Sequence, residues 1–237
     1  PFEEASVLVV DGCGSFASEL PGGPYPVRHA MSRELQSMYA GSAGRLKELM
    51  KTFSAPGAAV GPGTMYGIAS ILCGFGDLGA GKLMALAAYG ERDDIFPQCA
   101  FSDIDGMPVA PGDPDNDPLM PENIEYYSRL FFRGMKPRAE TDPMLSVYAD
   151  IASVVQRVTR DAAIRMAKKL HSMNKSENLC VAGGFGLNCH HNSAYKKKNE
   201  KKMQDVIKKY STKPENYVLD NQYNNGIVTG IGTDADF

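Results

Sequence analysis

Two short stretches carry residue types whose spacing could do chemistry. "VVDGCGSFA" (residues 9–17) sets Asp11 at the end of a β-branched run, just ahead of Gly12 and Gly14. "NLCVAGGFGLNCHH" (residues 178–191) sets Gly183 and Gly184 after an apolar run, then Asn188, Cys189, His190 and His191. A carboxylate at a strand end can hold a cation, and glycines between a strand and a helix leave backbone N–H groups free to face an anion. Asn188 adds an amide able to hydrogen-bond a ribose or a base.

The first stretch has three readings. Gly12-x-Gly14-x-x-Ala17 after a strand is formally a dinucleotide fingerprint, with Glu34 near the distance for a ribose contact; that reading is an NAD(P)-dependent oxidoreductase. Two features oppose it. Asp11 would stand beside the pyrophosphate, which costs free energy unless a cation intervenes. Pro21, Gly22 and Gly23 cut off the helix whose dipole should follow. An aspartate at a strand end before Gly-x-Gly fits a cation-and-phosphate site better, and a plain structural turn is the third reading. In the second stretch Gly184-x-Gly186 runs on into Leu187, Asn188 and Cys189, so no dinucleotide fingerprint is completed there.

The histidines do not build a metal site. His190 and His191 are adjacent, so on a helix they point about 100° apart and cannot converge on one ion. No HxxxH or HExxH occurs, His29 and His171 are isolated, and the pair reads as surface or capping histidines. No Ser–His–Asp arrangement follows from residue order alone. "PGDPDNDP" offers Asp113, Asp115 and Asp117 at the first spacings of a calcium loop. Pro118 stands where that loop needs glycine and Ile124 where it needs glutamate, so it reads as an acidic loop.

The elements that must position these residues follow from pattern. "ASVLVVDG" reads as a buried strand. "SRELQSMYAGSAGRLKELMKTF" (32–53) reads as helical with a break near Gly41 to Gly44. Met65, Ile68, Ala69 and Leu72 fall at helical spacing, with Thr64 placed to cap. "KLMALAAYG" reads as helical, and "FSDIDGMPV" as a hairpin with an Asp-Gly turn. Asp142-Pro143 opens the strongest helix, whose stripe is Tyr148, Ile151, Ala152, Val155, Val158, Ala162, Met166 and Leu170, ending near His171. "YKKKNEKKMQDVIKKY" has one apolar face and seven lysines, an amphipathic helix with a solvated basic face. "NYVLDNQYNNGIVTGIG" reads as strand, Asn-rich turn and glycine-spaced helix. The organisation predicted is a first part of the core over 1–90, an irregular insertion over 91–142, and a second half of the core over 143–237.

The totals exclude several classes. The chain of 237 residues is 43% hydrophobic and 22% charged with net charge −3, an ordinary globular composition with no polyanion-binding signature. No apolar run nears the ~20 residues that span a bilayer. Five cysteines, an odd number without a CxxC pair, read as reduced and mostly buried thiols of a cytoplasmic protein. The chain opens on Pro1, and the expectation is a natural N-terminus further upstream.

Three separated blocks then make one pattern: "PFEEASVLVVDGCGS", "AVGPGTMYGIASILCGFGDLGAGKLMALAAYG" and "ADIASVVQRVTRDAAIRMAKKLHSMNKSENLCVAGGFGLNCHHNSA". In order and wording they resemble the O-carbamoyltransferase family, which includes nodulation, tobramycin and cephamycin carbamoyltransferases. The resemblance implies an α/β chain with an actin/hexokinase-like ATPase fold, binding ATP as a carbamoyl-adenylate together with a divalent metal, usually iron. It implies transfer of the carbamoyl group to a hydroxyl of a small-molecule acceptor. A separate C-terminal domain, not in this chain, would make the carbamoyl-adenylate from carbamoyl phosphate and ATP. By motif position Asp11 is similar to a metal-binding catalytic aspartate, and Lys82 to a lysine near the site. Gly12 and Gly14 match the phosphate loop, and Gly183, Gly184 and Asn188 the nucleotide-holding turn.

Two departures from the pattern matter. A family His-x-x-x-His would precede Pro1, and Asn224 stands where the family has a metal-binding aspartate. A neutral amide oxygen binds a hard cation less well than a carboxylate. The expectation is therefore an incomplete or diverged transferase domain with metal affinity weakened or lost. The other expectation is a non-catalytic nucleotide-binding scaffold of the same fold.

Overall fold

The computed structural model describes residues 2–20, 25, 32–54, 59–92, 101–104, 107–112, 118, 120–192 and 227–229. The lysine-rich segment, the aspartates of the acidic loop, His29, Cys99 and Asn224 lie outside the described residues.

The described chain is a mixed α/β fold. Strand β1 (Glu4–Val10) is central in a five-stranded sheet with β2 (Glu34–Ser42), β3 (Arg45–Phe53), β7 (Leu179–Ala182) and β8 (Ile227–Thr229), in the order β3-β2-β1-β7-β8. A second sheet has the order β4-β6-β5, from β4 (Ala59–Val60), β5 (Ser102–Ile104) and β6 (Met107–Pro111). β1 pairs antiparallel with β2 and parallel with β7, from Ser6↔Leu179 to Val9↔Ala182. A parallel neighbour requires a long crossover. Everything between β1 and β7 supplies it, so both strands end at the same edge of the sheet. Asp11 and Gly183 therefore leave the sheet side by side.

Residues 32–53, expected to be helical, form the β2–β3 hairpin instead. Ser42 pairs with Arg45, and the two turn residues have positive φ, 48° at Ala43 and 74° at Gly44. That is the type I′ geometry that suits a two-residue hairpin. Pairing along the whole of β1, with Leu35 and Met38 buried, outweighs the local helix preference of "RLKELM". Ile227–Thr229 is a second correction. It was expected within a helix and is a strand antiparallel to β7, which suits three β-branched residues.

Helix α1 (Pro62–Leu72) is buried along all eleven residues. Its N-cap is Gly61, with Pro62 opening the helix where a missing N–H costs nothing. Thr64 lies inside the helix rather than capping it, and its hydroxyl donates to the Gly12 carbonyl at 2.5 Å. At the far end Arg138 Nε donates to the Cys73 carbonyl at 2.7 Å, a cation placed at the negative end of the helix dipole. Helix α2 (Ala80–Leu86) follows.

Helix α3 (Ile124–Phe131) and helix α4 (Ser146–Met173) complete the layer. The expected α4 stripe is buried or half-buried throughout. Its N-terminal half packs Ile151 and Val155 with α1 and with Tyr127 and Phe131 of α3. Its C-terminal half packs Ala163, Met166 and Leu170 over Leu8, Val10, Leu179 and Val181 of the sheet. One helix thus joins both clusters. Truncating a fully buried residue such as Ile151 or Leu8 to alanine costs about 2–5 kcal/mol.

Between 91 and 142, Phe101, Ala110 and Phe132 belong to the helical cluster, while Met107 joins the cluster under the main sheet. β5 and β6 pair up to Ile104↔Met107, as the expected hairpin requires; its turn residues lie outside the described ones. Among the four described cysteines only Cys73 is fully buried. Cys13 and Cys180 are half-buried and Cys189 is exposed, so "mostly buried" does not hold. Burial pushes the Cys73 thiol up to about 12, so it stays protonated. No described helix is long and apolar enough to cross a membrane.

Candidate functional site

Three backbone segments meet where β1 ends. A β-carbon on Gly63, the second residue of α1, would lie 2.3 Å from the Asp11 carbonyl oxygen and 2.8 Å from the Gly12 nitrogen. A β-carbon on Gly183 would lie 2.2 Å from the Val10 carbonyl oxygen. Gly183 also has φ 86° and ψ 168°, a region open essentially to glycine alone. On Gly184 a β-carbon would lie 3.2 Å from Oδ1 of Asp11. The end of β1, the start of α1 and the turn after β7 are therefore packed backbone to backbone, with the exposed Asp11 carboxylate at their junction.

The other residues singled out from the sequence distribute unevenly. The Gly12 N–H donates to Oδ1 of its neighbour Asp11 at 2.7 Å, and the Gly14 N–H donates to the Glu34 carbonyl at 2.9 Å. A β-carbon on Gly14 would meet that carbonyl oxygen at 2.8 Å, so this glycine serves the approach of the loop to β2. Residues 17–19 form a single 3-10 turn, and Glu34 is engaged by Ser37 and by Lys51 Nζ at 2.8 Å. Lys82 is exposed on α2 with Nζ 6.0 Å from the Phe75 ring centroid, and it makes no hydrogen bond or ion pair with Asp11.

Asn188 is buried in a side-chain network. Its Nδ2 donates to Gln156 Oε1 at 3.1 Å, and its Oδ1 accepts from Gln156 Nε2 at 3.3 Å. The same Oδ1 accepts from the backbone N–H of His190 at 3.0 Å and of His191 at 3.3 Å, capping the helical turn that begins at Cys189. His190 is exposed, as expected. His191 is not a surface residue: it is 1% exposed and stacks on Phe185 with ring centroids 4.2 Å apart. Alternation of exposure around this turn buries the second histidine of the pair.

The described residues do not compose a metal site. Asp11 is the carboxylate at the junction, and no group of three or more His, Cys, Asp or Glu side chains able to hold a metal occurs among the described residues. Asn224, the other expected ligand, lies outside them.

Two contributors were not singled out from the sequence. "GPGT", Gly61 to Thr64, was legible as a proline at the first helical position followed by a glycine. Gln156 gave no signal, because one polar residue among α4's outward positions looks like any solvated side chain.

Residues 122–207 match the family model described as carbamoyltransferase N-terminus. The match includes Gly183, Gly184 and Asn188, and leaves Asp11 and Lys82 outside it. Over 203 residues the chain is 27% identical to the uncharacterized protein sll1178 of Synechocystis sp.. That alignment covers 80% of this chain and 28% of the relative, so the chain spans less than a third of that relative's length. The family match supports carbamoyltransferase kinship for the stretch that runs from α3 through α4 to the glycine turn.

Proposed function

We propose that the chain holds a carbamoyl-adenylate at the junction of β1, α1 and the glycine turn. From there it passes the carbamoyl group to a hydroxyl of a small-molecule acceptor, on an actin/hexokinase-like ATPase fold. The observation that carries this reading is the junction itself, where a β-carbon on Gly63 would strike the Asp11 backbone, one on Gly183 the Val10 backbone, and one on Gly184 would press on the Asp11 carboxylate at 3.2 Å. The setting suits an adenylate in two further ways. The first N–H groups of α1 have no partner within the helix, and its dipole favours an anion there. The junction also lies outside the carboxyl ends of two parallel strands, where ligands of open α/β sheets bind. The family match supports carbamoyl transfer in general.

In this reaction the acceptor oxygen bonds to the carbamoyl carbon and the carbon–oxygen bond to the adenylate phosphate breaks. AMP departs with the bonding pair, and the hydroxyl proton passes to the Asp11 carboxylate. No step is assigned to a metal, because the described residues bring together no group of three or more His, Cys, Asp or Glu side chains able to hold one.

Calorimetric titration with AMP, ATP and NAD tests the reading. AMP should bind and NAD should not. Binding of NAD without AMP would overturn it in favour of the dinucleotide reading of Gly12-x-Gly14-x-x-Ala17. AMP binding without release of AMP from added carbamoyl-adenylate and an acceptor would leave a nucleotide-binding scaffold.

A further inference from the structure

The two glycine-lined walls of the junction belong to elements far apart in sequence, α1 and the turn after β7. Something must fix one against the other. Tyr66 lies in α1 two residues beyond Thr64, and its hydroxyl donates to Gln156 Oε1 at 2.8 Å. Gln156 projects from α4 and exchanges two hydrogen bonds with Asn188, at 3.1 and 3.3 Å. Asn188 in turn accepts the backbone N–H groups of His190 and His191, which closes the far side of the glycine turn. Both polar atoms of the Gln156 amide are thus engaged, the oxygen by α1 and the glycine turn together and the nitrogen by the glycine turn. An amide offers one acceptor oxygen and two donor hydrogens, and here the oxygen serves both walls at once.

We infer that Gln156 is a positioning residue that ties α1 to the glycine turn and so holds Gly63 and Thr64 in register with Gly183 and Gly184 around the ligand. This inference rests on the adenylate reading for its functional consequence, and on the hydrogen bonds alone for its structural one. Leucine at 156 would fill similar space and break both ties. Phenylalanine at 66 would break only the tie to α1. Glutamate at 156 keeps the oxygen that accepts from Tyr66 and Asn188 but loses the donor to Asn188 Oδ1.

The test compares amide hydrogen exchange and AMP affinity in the wild type, Gln156→Leu, Gln156→Glu and Tyr66→Phe. Exchange over residues 183–188 should rise about tenfold in Gln156→Leu, the scale of one or two lost hydrogen bonds. Exchange in β1 and in residues 163–170 of α4 should stay unchanged. AMP affinity should fall about tenfold in Gln156→Leu, and by less in Tyr66→Phe and in Gln156→Glu, which each keep part of the network. Unchanged exchange at the turn, or an equal rise throughout the chain, would overturn the inference. If Gln156→Leu does not fold, Tyr66→Phe decides: no change in either readout would overturn the tie. A wild type that binds no AMP would sink the adenylate reading, while the exchange comparison would still decide the positioning role.

Discussion

Gly184 stands against Asp11, with room for a β-carbon only at 3.2 Å from the carboxylate oxygen, while its neighbour Gly183 leaves 2.2 Å to the Val10 carbonyl. The two adjacent glycines are therefore needed for different reasons. Gly183 meets strand backbone and has a conformation that strains any other residue by about 1–3 kcal/mol before the clash is counted. Gly184 meets the end of a side chain that can turn aside. Gly183→Ala should lower the unfolding free energy by about 2–4 kcal/mol in urea titration. Gly184→Ala should keep stability within about 1 kcal/mol yet weaken AMP binding about tenfold, because Asp11 is displaced into the junction. A fully stable Gly183→Ala would show that the turn does not press on β1.

His191 makes stability depend on pH. Thr159 Oγ1 already donates to the Val155 carbonyl at 2.6 Å, so the contact at 3.0 Å to His191 Nε2 requires that nitrogen to carry the proton. Burial disfavours the charged ring and pulls its pKa down to about 3, against a pull upward from the Phe185 carbonyl, so the folded chain holds the ring neutral. The unfolded chain binds the second ring proton near 6.5, so it holds more protons than the fold between the two values. The stability is therefore fully present above about 6.5 and is lost as the pH falls towards 3. At pH 5 the loss reaches about 2 kcal/mol relative to pH 7.5. His191→Phe, which keeps an aromatic ring against Phe185, should show a shallower fall than the wild type in parallel urea titrations. Equal slopes would rule out a buried neutral histidine.

What could be read from the sequence was governed by how local its cause was. The α4 stripe, β1 and the glycine turn were legible because each is set by its own periodicity or by consecutive glycines. The β2–β3 hairpin was not, since "RLKELM" prefers a helix in isolation and becomes a strand only because β1 offers a full-length partner. At the site, Asp11 and Gly184 could be named separately, but their contact depends on β1 and β7 running parallel although Ser6 and its partner Leu179 are far apart in the chain, which no short motif encodes. The same holds for Gln156, whose partners Tyr66 and Asn188 come from different elements. His191 was misread because adjacency on a helix separates two rings without saying which one turns inward.

Asp150 pins the loop after α2. It is 6% exposed, and its Oδ1 accepts from the backbone N–H groups of Glu91 at 2.9 Å and Arg92 at 3.0 Å. Gly90 permits the approach, since a β-carbon there would lie 2.5 Å from the Ala149 carbonyl oxygen. Asp150→Ala leaves two N–H groups without their acceptor and should cost about 2–4 kcal/mol. Asp150→Asn retains the accepting oxygen and should cost about 1 kcal/mol or less. Limited proteolysis at Arg92 should accelerate in the alanine variant and not in the asparagine one. Similar losses for both would mean that the carboxylate's charge, rather than its geometry, holds the loop.

Ala43 offers a test of the hairpin by sign alone. With φ 48° it occupies the left-handed region beside Gly44 at 74°, in a loop closed by Ser42 pairing with Arg45. A β-carbon without a polar group is strained there by about 1–2 kcal/mol, whereas asparagine tolerates the conformation and Asn-Gly is the preferred type I′ pair. Ala43→Asn should therefore stabilise the protein by about 0.5–1 kcal/mol, seen as a higher urea midpoint with an unchanged slope. In a helix the same substitution would destabilise by about 0.7 kcal/mol, because alanine is the better helix former. A lowered midpoint would contradict the hairpin; a raised one is the outcome that only a left-handed turn at Ala43 produces.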